Sequence, residues 1–160
     1  MNILSIDPGV ERAGFAIFEL TGPRVFRFVD CGLIKTGKNT PLQERIQSIY
    51  NSLLQIIKCH RPERLIMERL FFASNQKTAI MVAQAQGAML LLAAQQSMPV
   101  TFLTPLQIKE IVTGDGQADK KTVQKMLALE LLKGKKIVQD DTADAVACGF
   151  AYCITGEPIR

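Results

Sequence analysis

Histidine is nearly absent from this sequence, and cysteine occurs only in a scattered pattern. The single histidine, His60, lies in the polar stretch Lys58-Cys59-His60-Arg61 that closes a helical pattern, where a surface or C-capping role is the natural reading. Any chemistry must therefore run without a histidine base. The four cysteines, Cys31, Cys59, Cys148 and Cys153, fall inside apparent strands and helices and never at Cys-x-x-Cys spacing. That spacing disfavours both a zinc site and a disulfide framework and leaves core thiols as the expectation.

Other absences bound the architecture. No low-complexity tract, charge run or internal repeat interrupts the 160 residues, so one domain spanning 1–160 is expected, without a linker or disordered tail. Long apolar runs are also missing. Ala79 to Ala94 is strongly apolar, but Gln84, Gln86 and the flanking Lys77 and Gln95 leave it short of a membrane span. The amino terminus, Met1-Asn2-Ile3-Leu4-Ser5-Ile6-Asp7, has no basic leader and reads as a strand, so the mature chain is expected to start at Met1. The expectation is a soluble, cytoplasmic protein without membrane contact.

What is present begins with charge. The net charge of +4 and pI near 9.0 fit a nucleic-acid ligand only weakly. Its distribution is more informative, because Lys109, Lys120, Lys121, Lys125, Lys133, Lys135 and Lys136 concentrate in one third of the chain.

The periodicity points to a mixed α/β order. Three β-rich runs, Asn2 to Ile6, Gly14 to Leu20 and Arg24 to Ile34, are separated by Asp7-Pro8-Gly9 and Thr21-Gly22-Pro23, which predicts an antiparallel meander. Leu42, Ile46, Ile49, Leu53 and Ile56 form one helical stripe ending near His60, a crossover helix. A buried strand from Arg64 to Leu70 follows, then a helix from about Thr78 to Gln96 and a strand from Val100 to Leu103. Helices are predicted near Pro105 to Val112, Asp119 to Leu132 and Thr142 to Ile154, the first opening on a proline at a permitted position. The antiparallel start gives way to parallel strands.

Four acids stand out. Asp7 ends the first strand, where Pro8 favours extended geometry and Gly9 permits a sharp turn; taken alone, Asp-Pro-Gly reads as a hairpin turn. Glu68 follows Leu65-Ile66-Met67, and a carboxylate beside a buried strand needs a partner. Arg69 is the nearest, but adjacent strand residues point to opposite faces. In Asp140-Asp141-Thr142-Ala143-Asp144, two acids three apart at a helix start share one side, with Cβ atoms roughly 5 to 6 Å apart. They resemble a capping box as much as a ligand pair, and Asp140 competes with Asp141 for the inward position. Taken together, Asp7, Glu68, Asp141 and Asp144 would repel one another unless divalent cations offset them. Oxygen ligands without Cys or His favour Mg²⁺, with Mn²⁺ as a substitute, and two ions roughly 3.5 to 4 Å apart suit phosphodiester hydrolysis.

At these residues the sequence closely resembles the RuvC family, bacterial Holliday-junction resolvases of the ribonuclease H-like superfamily. The resemblance rests on Ile6-Asp7-Pro8-Gly9, Met67-Glu68-Arg69-Leu70-Phe71, Ala83-Gln84-Ala85-Gln86-Gly87-Ala88, Gln107-Ile108-Lys109, Gly114-Asp115-Gly116-Gln117-Ala118-Asp119-Lys120 and Asp141-Thr142-Ala143-Asp144-Ala145, and it runs along essentially the whole chain. It implies a ribonuclease H-like mixed sheet flanked by helices, and a homodimer that nicks a four-way DNA junction symmetrically. Asp7, Glu68, Asp141 and Asp144 would hold the metals; Lys109 and Lys120 would sit near the scissile or neighbouring phosphate, with Lys121 on the DNA side. Phe71 matches an aromatic that inserts at the crossover, and the adjacent Phe72 is an addition here. A branch-migration helicase complex is the partner that the family implies.

The small residues Ala79, Ala83, Gly87 and Ala88 would allow another backbone to approach the long helix, either a dimer mate or the sheet. Two further classes remain open. An early strand followed by Asp-x-Gly also opens the phosphate loop of actin-like ATP-binding proteins, although the chain is short for two lobes and Gly114-Asp115-Gly116 is not a Walker loop. A junction-binding dimer that has lost cleavage is the other.

Overall fold

Alternating side chains set the first strands, and the two faces they create are unequal. The structure is a computed structural model that describes residues 1–69, 76–131, 137 and 139–155. In β1 (Asn2–Asp7), Leu4 and Ile6 turn to one side, while Ile3, Ser5 and Asp7 turn to the other. β2 (Arg12–Gly22) returns antiparallel, pairing Asp7 with Gly14, and β3 (Val25–Lys35) follows through a tight turn in which Arg24 takes φ 60°. β4 (Arg64–Glu68) lies parallel to β1, and β5 (Val100–Leu103) parallel to β4, so the sheet order is β3-β2-β1-β4-β5. The expected antiparallel start and parallel continuation is the observed arrangement.

Helices cover both faces. α1 (Leu42–His60) and α2 (Gln76–Gln95) bury Ile49, Leu53, Ala85, Met89 and Leu92 against Leu4, Ile6, Leu65 and Met67. On the opposite face, α3 (Pro105–Thr113), α4 (Lys120–Glu130) and α5 (Asp140–Thr155) enclose Ile3, Phe18 and Ile66. Thr104 and Gln107 cap α3 reciprocally with proline at its first turn, and Gly114 ends it at φ 79°, the left-handed geometry a glycine accommodates without strain. Asp119 caps α4 through the Thr122 amide.

α5 sits unusually close to the sheet, which accounts for the small residues Ala143, Ala145, Ala147, Gly149 and Ala151 along it. A Cβ at Gly149 would meet Ser5 Oγ and the Phe18 ring at 2.5 Å, and one at Gly14 would overlap the Asp141 carbonyl. The Ser5 hydroxyl donates to the Ala145 carbonyl at 2.8 Å, and Thr142 Oγ1 donates to the Gly32 carbonyl at 3.2 Å. These contacts fix the start of α5 relative to β1 and β2.

Several expectations change. α5 begins at Asp140, so Asp141 and Asp144 are both helical, not one cap and one helical residue. β4 ends at Glu68, while Leu70 and Leu132, the expected ends of a strand and a helix, lie outside the described residues. The thiols are not all in the core: Cys148 and Cys153 are buried, Cys31 is half-buried and Cys59 is exposed, because Cys59 lies two residues past Ile57 and so on the opposite side of α1 from the buried stripe Ile49, Leu53 and Ile57. The α1 cap is Arg61 in the left-handed region, and the His60 ring instead stands 3.5 Å from Asp30. No helix among the described residues is long and apolar enough to cross a membrane.

Because backbone atoms leave no room at Gly14, Gly14→Ala must push α5 off the sheet. It is expected to lower stability by about 1–3 kcal/mol in chemical denaturation, as overpacking does. A wild-type midpoint would show that α5 is less tightly seated than described.

Candidate active site

Strand alternation puts Asp7 and Glu68 on the face covered by α5, at the carboxyl ends of the two adjacent parallel strands β1 and β4. Ligands of open α/β sheets bind at such ends. α5 adds Asp141 and Asp144 from its first two turns, and its seating on Gly14 carries them to the same place. α3 and α4 complete the cleft: Glu68, Pro105, Ile108, Lys109, Lys120, Val123 and Asp144 line it.

The electrostatics follow from partial burial and like charge. Burial, with the charges of Asp144, Glu68 and Asp141, pushes the Asp7 carboxyl up to about 7. Burial and Asp144 do the same for Glu68, also to about 7, against the opposing charges of Lys120 and Lys109. Asp144 is raised by burial, although Lys120 opposes that rise. Burial works against the Lys120 ammonium, but its bond to Asp144 and the nearby acids outweigh this and raise its pKa. Neither the Asp7 nor the Glu68 carboxylate has a hydrogen-bond or ion-pair partner among the described residues, and the Arg69 guanidinium stacks over Phe102 instead.

The helical acids are engaged by cations. Lys120 Nζ lies 2.8 Å from Asp144 Oδ2 and 3.7 Å from Asp140 Oδ2, and Arg12 Nε donates to Asp141 Oδ2 at 2.7 Å. Among the described residues, no capping bond involves the Asp141 or Asp144 side chain. Asp141 is the inner of the two neighbours: its side chain is 29% exposed against 69% for Asp140, and it is the one whose charge acts on Asp7. Among the described residues, no three His, Cys, Asp or Glu side chains are gathered as a ligand set, and Arg12 and Lys120 each engage one of the helical acids. The donor chemistry still fits a hard divalent cation: four carboxylates, two of them half-buried, unpartnered and mutually repelling.

The structure brings together Asp7, Glu68, Asp144, Lys109 and Lys120, with Asp141 beside them. Lys121 is exposed on α4 and does not line the cleft. Phe71 and Phe72, and Lys133, Lys135 and Lys136, lie outside the described residues. Arg12 was not anticipated from sequence. Its signal was its place two residues before Gly14 on the same face of β2, where one residue admits the Asp141 backbone and the other takes its carboxylate.

With the geometry established, the chain can be set beside known proteins. A family profile described as crossover junction endodeoxyribonuclease RuvC matches residues 3–152. A crossover junction endodeoxyribonuclease RuvC from Pelotomaculum thermopropionicum is 43% identical over 152 residues, covering 95% of this chain and 92% of that protein. The one from Brachyspira hyodysenteriae is 40% identical over 152 residues, covering 95% and 93%. Thermus thermophilus RuvC, solved in complex with Holliday junction substrate, superposes with a TM-score of 0.89 at 28% identity, covering 96% of this chain and 93% of that one. The sheet and its flanking helices are thus the ribonuclease H-like fold expected.

A pH dependence follows from the raised carboxyls. Their ordinary values are 3.8 and 4.5, and both rise to about 7 in the folded chain. Between those limits the folded protein holds more protons than the unfolded one, so this contribution is present at low pH and lost as pH rises through about 7. In chelator, Asp7→Asn should therefore match the wild type near pH 4 and exceed it by on the order of 2 kcal/mol near pH 8. Urea melts at both pH values check this, and a pH-independent difference would contradict it.

Proposed function

Because the chain belongs to the RuvC family of crossover junction endodeoxyribonucleases, we propose that it resolves four-way DNA junctions by divalent-metal-dependent hydrolysis of two opposed strands. The observation that carries this reading is the convergence of unpartnered Asp7 and Glu68 carboxylates with Asp144 beside two lysines, in a cleft open to a polymer. The chain acts as one nuclease domain, and a cytoplasmic site of action goes with a chromosomal substrate.

Asp7 and Glu68 would hold the cations from the strand ends, and Asp141 and Asp144 would hold them from α5. Mg²⁺ is the ion chosen by this all-oxygen set, with Mn²⁺ as a substitute and two ions per site. When bound, such ions supply an activated water and neutralise the charge that develops on the leaving 3′-oxygen. Lys109 and Lys120 draw the phosphodiester into the cleft, and Lys120 exchanges its bond to Asp144 for one to phosphate. Apolar Pro105, Ile108 and Val123 beside the acids limit water on that side and strengthen each charge interaction. Phe71 acts as the crossover wedge and Lys121 contacts more distant backbone.

Symmetric nicking requires two sites. On α2, Ile80 and Leu91 are 58% and 56% exposed, and a Cβ at Gly87 would meet nothing within 4 Å. This is the surface on which a second copy would seat, and a branch-migration helicase complex would engage the dimer.

The expected result on an end-labelled mobile junction with Mg²⁺ is a pair of nicks at symmetric positions in opposed strands, resolved on a denaturing gel. Asp7→Asn should retain junction binding and lose at least about a hundredfold in cutting, the scale of losing a transition-state charge stabiliser. Binding without cleavage across metals would mean a junction-binding protein instead. For the dimer, Leu91→Glu should shift sedimentation equilibrium toward monomer; an unchanged dimer would place the seam elsewhere.

A further inference from the structure

Arg12 opens β2 and Lys35 closes β3, and the two are direct cross-strand partners at the end of the sheet that carries the acids. Directly opposed residues project to the same face, and like charges in that position destabilise the pair. Nearby cations are committed within the fold: Lys38 pairs with Glu11 at 3.3 Å, and Arg45 Nε donates to Thr36 at 2.9 Å. Lys35 is exposed and has no ion pair among the described residues. Arg12 is held only through Nε, by Asp141, and both its Nη groups lack partners there. A guanidinium held by one edge is restrained in orientation and keeps a planar set of donors for another acceptor, a fork that matches a phosphate.

Their surroundings show where such a phosphate would lie. Arg12, Lys35, Lys120, Gln139, Asp140 and Asp141 line one cleft, and Lys120 also lines the cleft that holds Lys109 and Glu68. The two clefts therefore meet at Lys120. The sheet order puts Arg12 and Lys35 on the β3 side, Asp7 and Glu68 on the two strands beyond, and Lys109 on the helix that follows β5. The result is one track across the acids, cationic at each end.

We propose that Arg12 and Lys35 form a phosphate-binding subsite for the DNA strand that flanks the scissile phosphodiester, across the acid cluster from Lys109. The subsite rests on the reading of the chain as a junction nuclease. Arg12 thereby joins two tasks: its Nε edge orients Asp141, and its Nη edge fixes the register of the strand over the acids. Lys35 adds a point charge without sequence preference.

The test uses the full chain and a labelled four-way junction in Ca²⁺ or chelator, with binding measured from about 50 to about 200 mM salt. Lys35→Ala should weaken binding several-fold at fixed salt and reduce the slope of log K against log salt by about 1, the signature of one lost phosphate contact. Lys35→Arg should restore both. Lys58→Ala, in the last turn of α1 by the start of β1, should change neither. Wild-type affinity and slope in Lys35→Ala, or an equal loss in Lys58→Ala, would overturn the subsite alone. A wild-type chain that neither binds nor cuts junctions would overturn the nuclease reading and the subsite with it.

Discussion

Mutual repulsion among carboxylates on an immobile backbone is the constraint around which this structure is organised. Asp7 and Glu68 end neighbouring central strands whose middle residues are buried, so neither can withdraw into solvent without breaking the sheet. α5 cannot retreat either, because Gly14 and Gly149 let it sit against β1 and β2 and Ser5 and Thr142 tie it there. The fold thus holds an electrostatic penalty in place. Within the free chain, proton uptake by Asp7 and Glu68 and the cations Lys120 and Arg12 reduce it. On the proposed reading a divalent ion would be the more complete answer, and it would free Lys120 for phosphate while Arg12 keeps its Nε bond to Asp141.

This division of labour separates rigid from adjustable parts. The strand ends and the first turns of α5 are fixed by packing, whereas the long side chains of Arg12, Lys109 and Lys120 can exchange partners without moving the backbone. Ion pairs at 2.7 and 2.8 Å between partly exposed groups are short but only modestly stabilising in water, so exchange with a ligand costs little. On the proposed reading, a site that loads a cation and a polyanion would benefit from such weak internal pairs.

Much of this was legible in the sequence. β-rich and short apolar runs bounded by turn residues, with the apolar stripe of α1, indicated the five strands and five helices seen among the described residues. Asp7 and Glu68 could be read from their position just beyond buried strands. Asp144 could be read from its spacing. What sequence could not supply was Arg12, whose role depends on α5 lying against the start of β2, a contact between residues separated by 129 positions. The choice between Asp140 and Asp141 also needed tertiary structure, since both start the helix and only the seating on Gly14 turns Asp141 inward. The exposed Cys59 was misjudged for a different reason: thiols were expected in the core as a residue type, although the helical period puts Cys59 off the stripe of Ile49, Leu53 and Ile57.

On the proposed reading the raised carboxyls are themselves the cation ligands, so metal binding must expel their protons. Calorimetric titration of Mg²⁺ into the metal-free protein near pH 7, in buffers of differing ionisation enthalpy, measures the protons released per chain. The account predicts release of about one proton near pH 7, where Asp7 and Glu68 are each partly protonated, falling toward none near pH 9. Saturable Mg²⁺ binding with no proton release at either pH would contradict it.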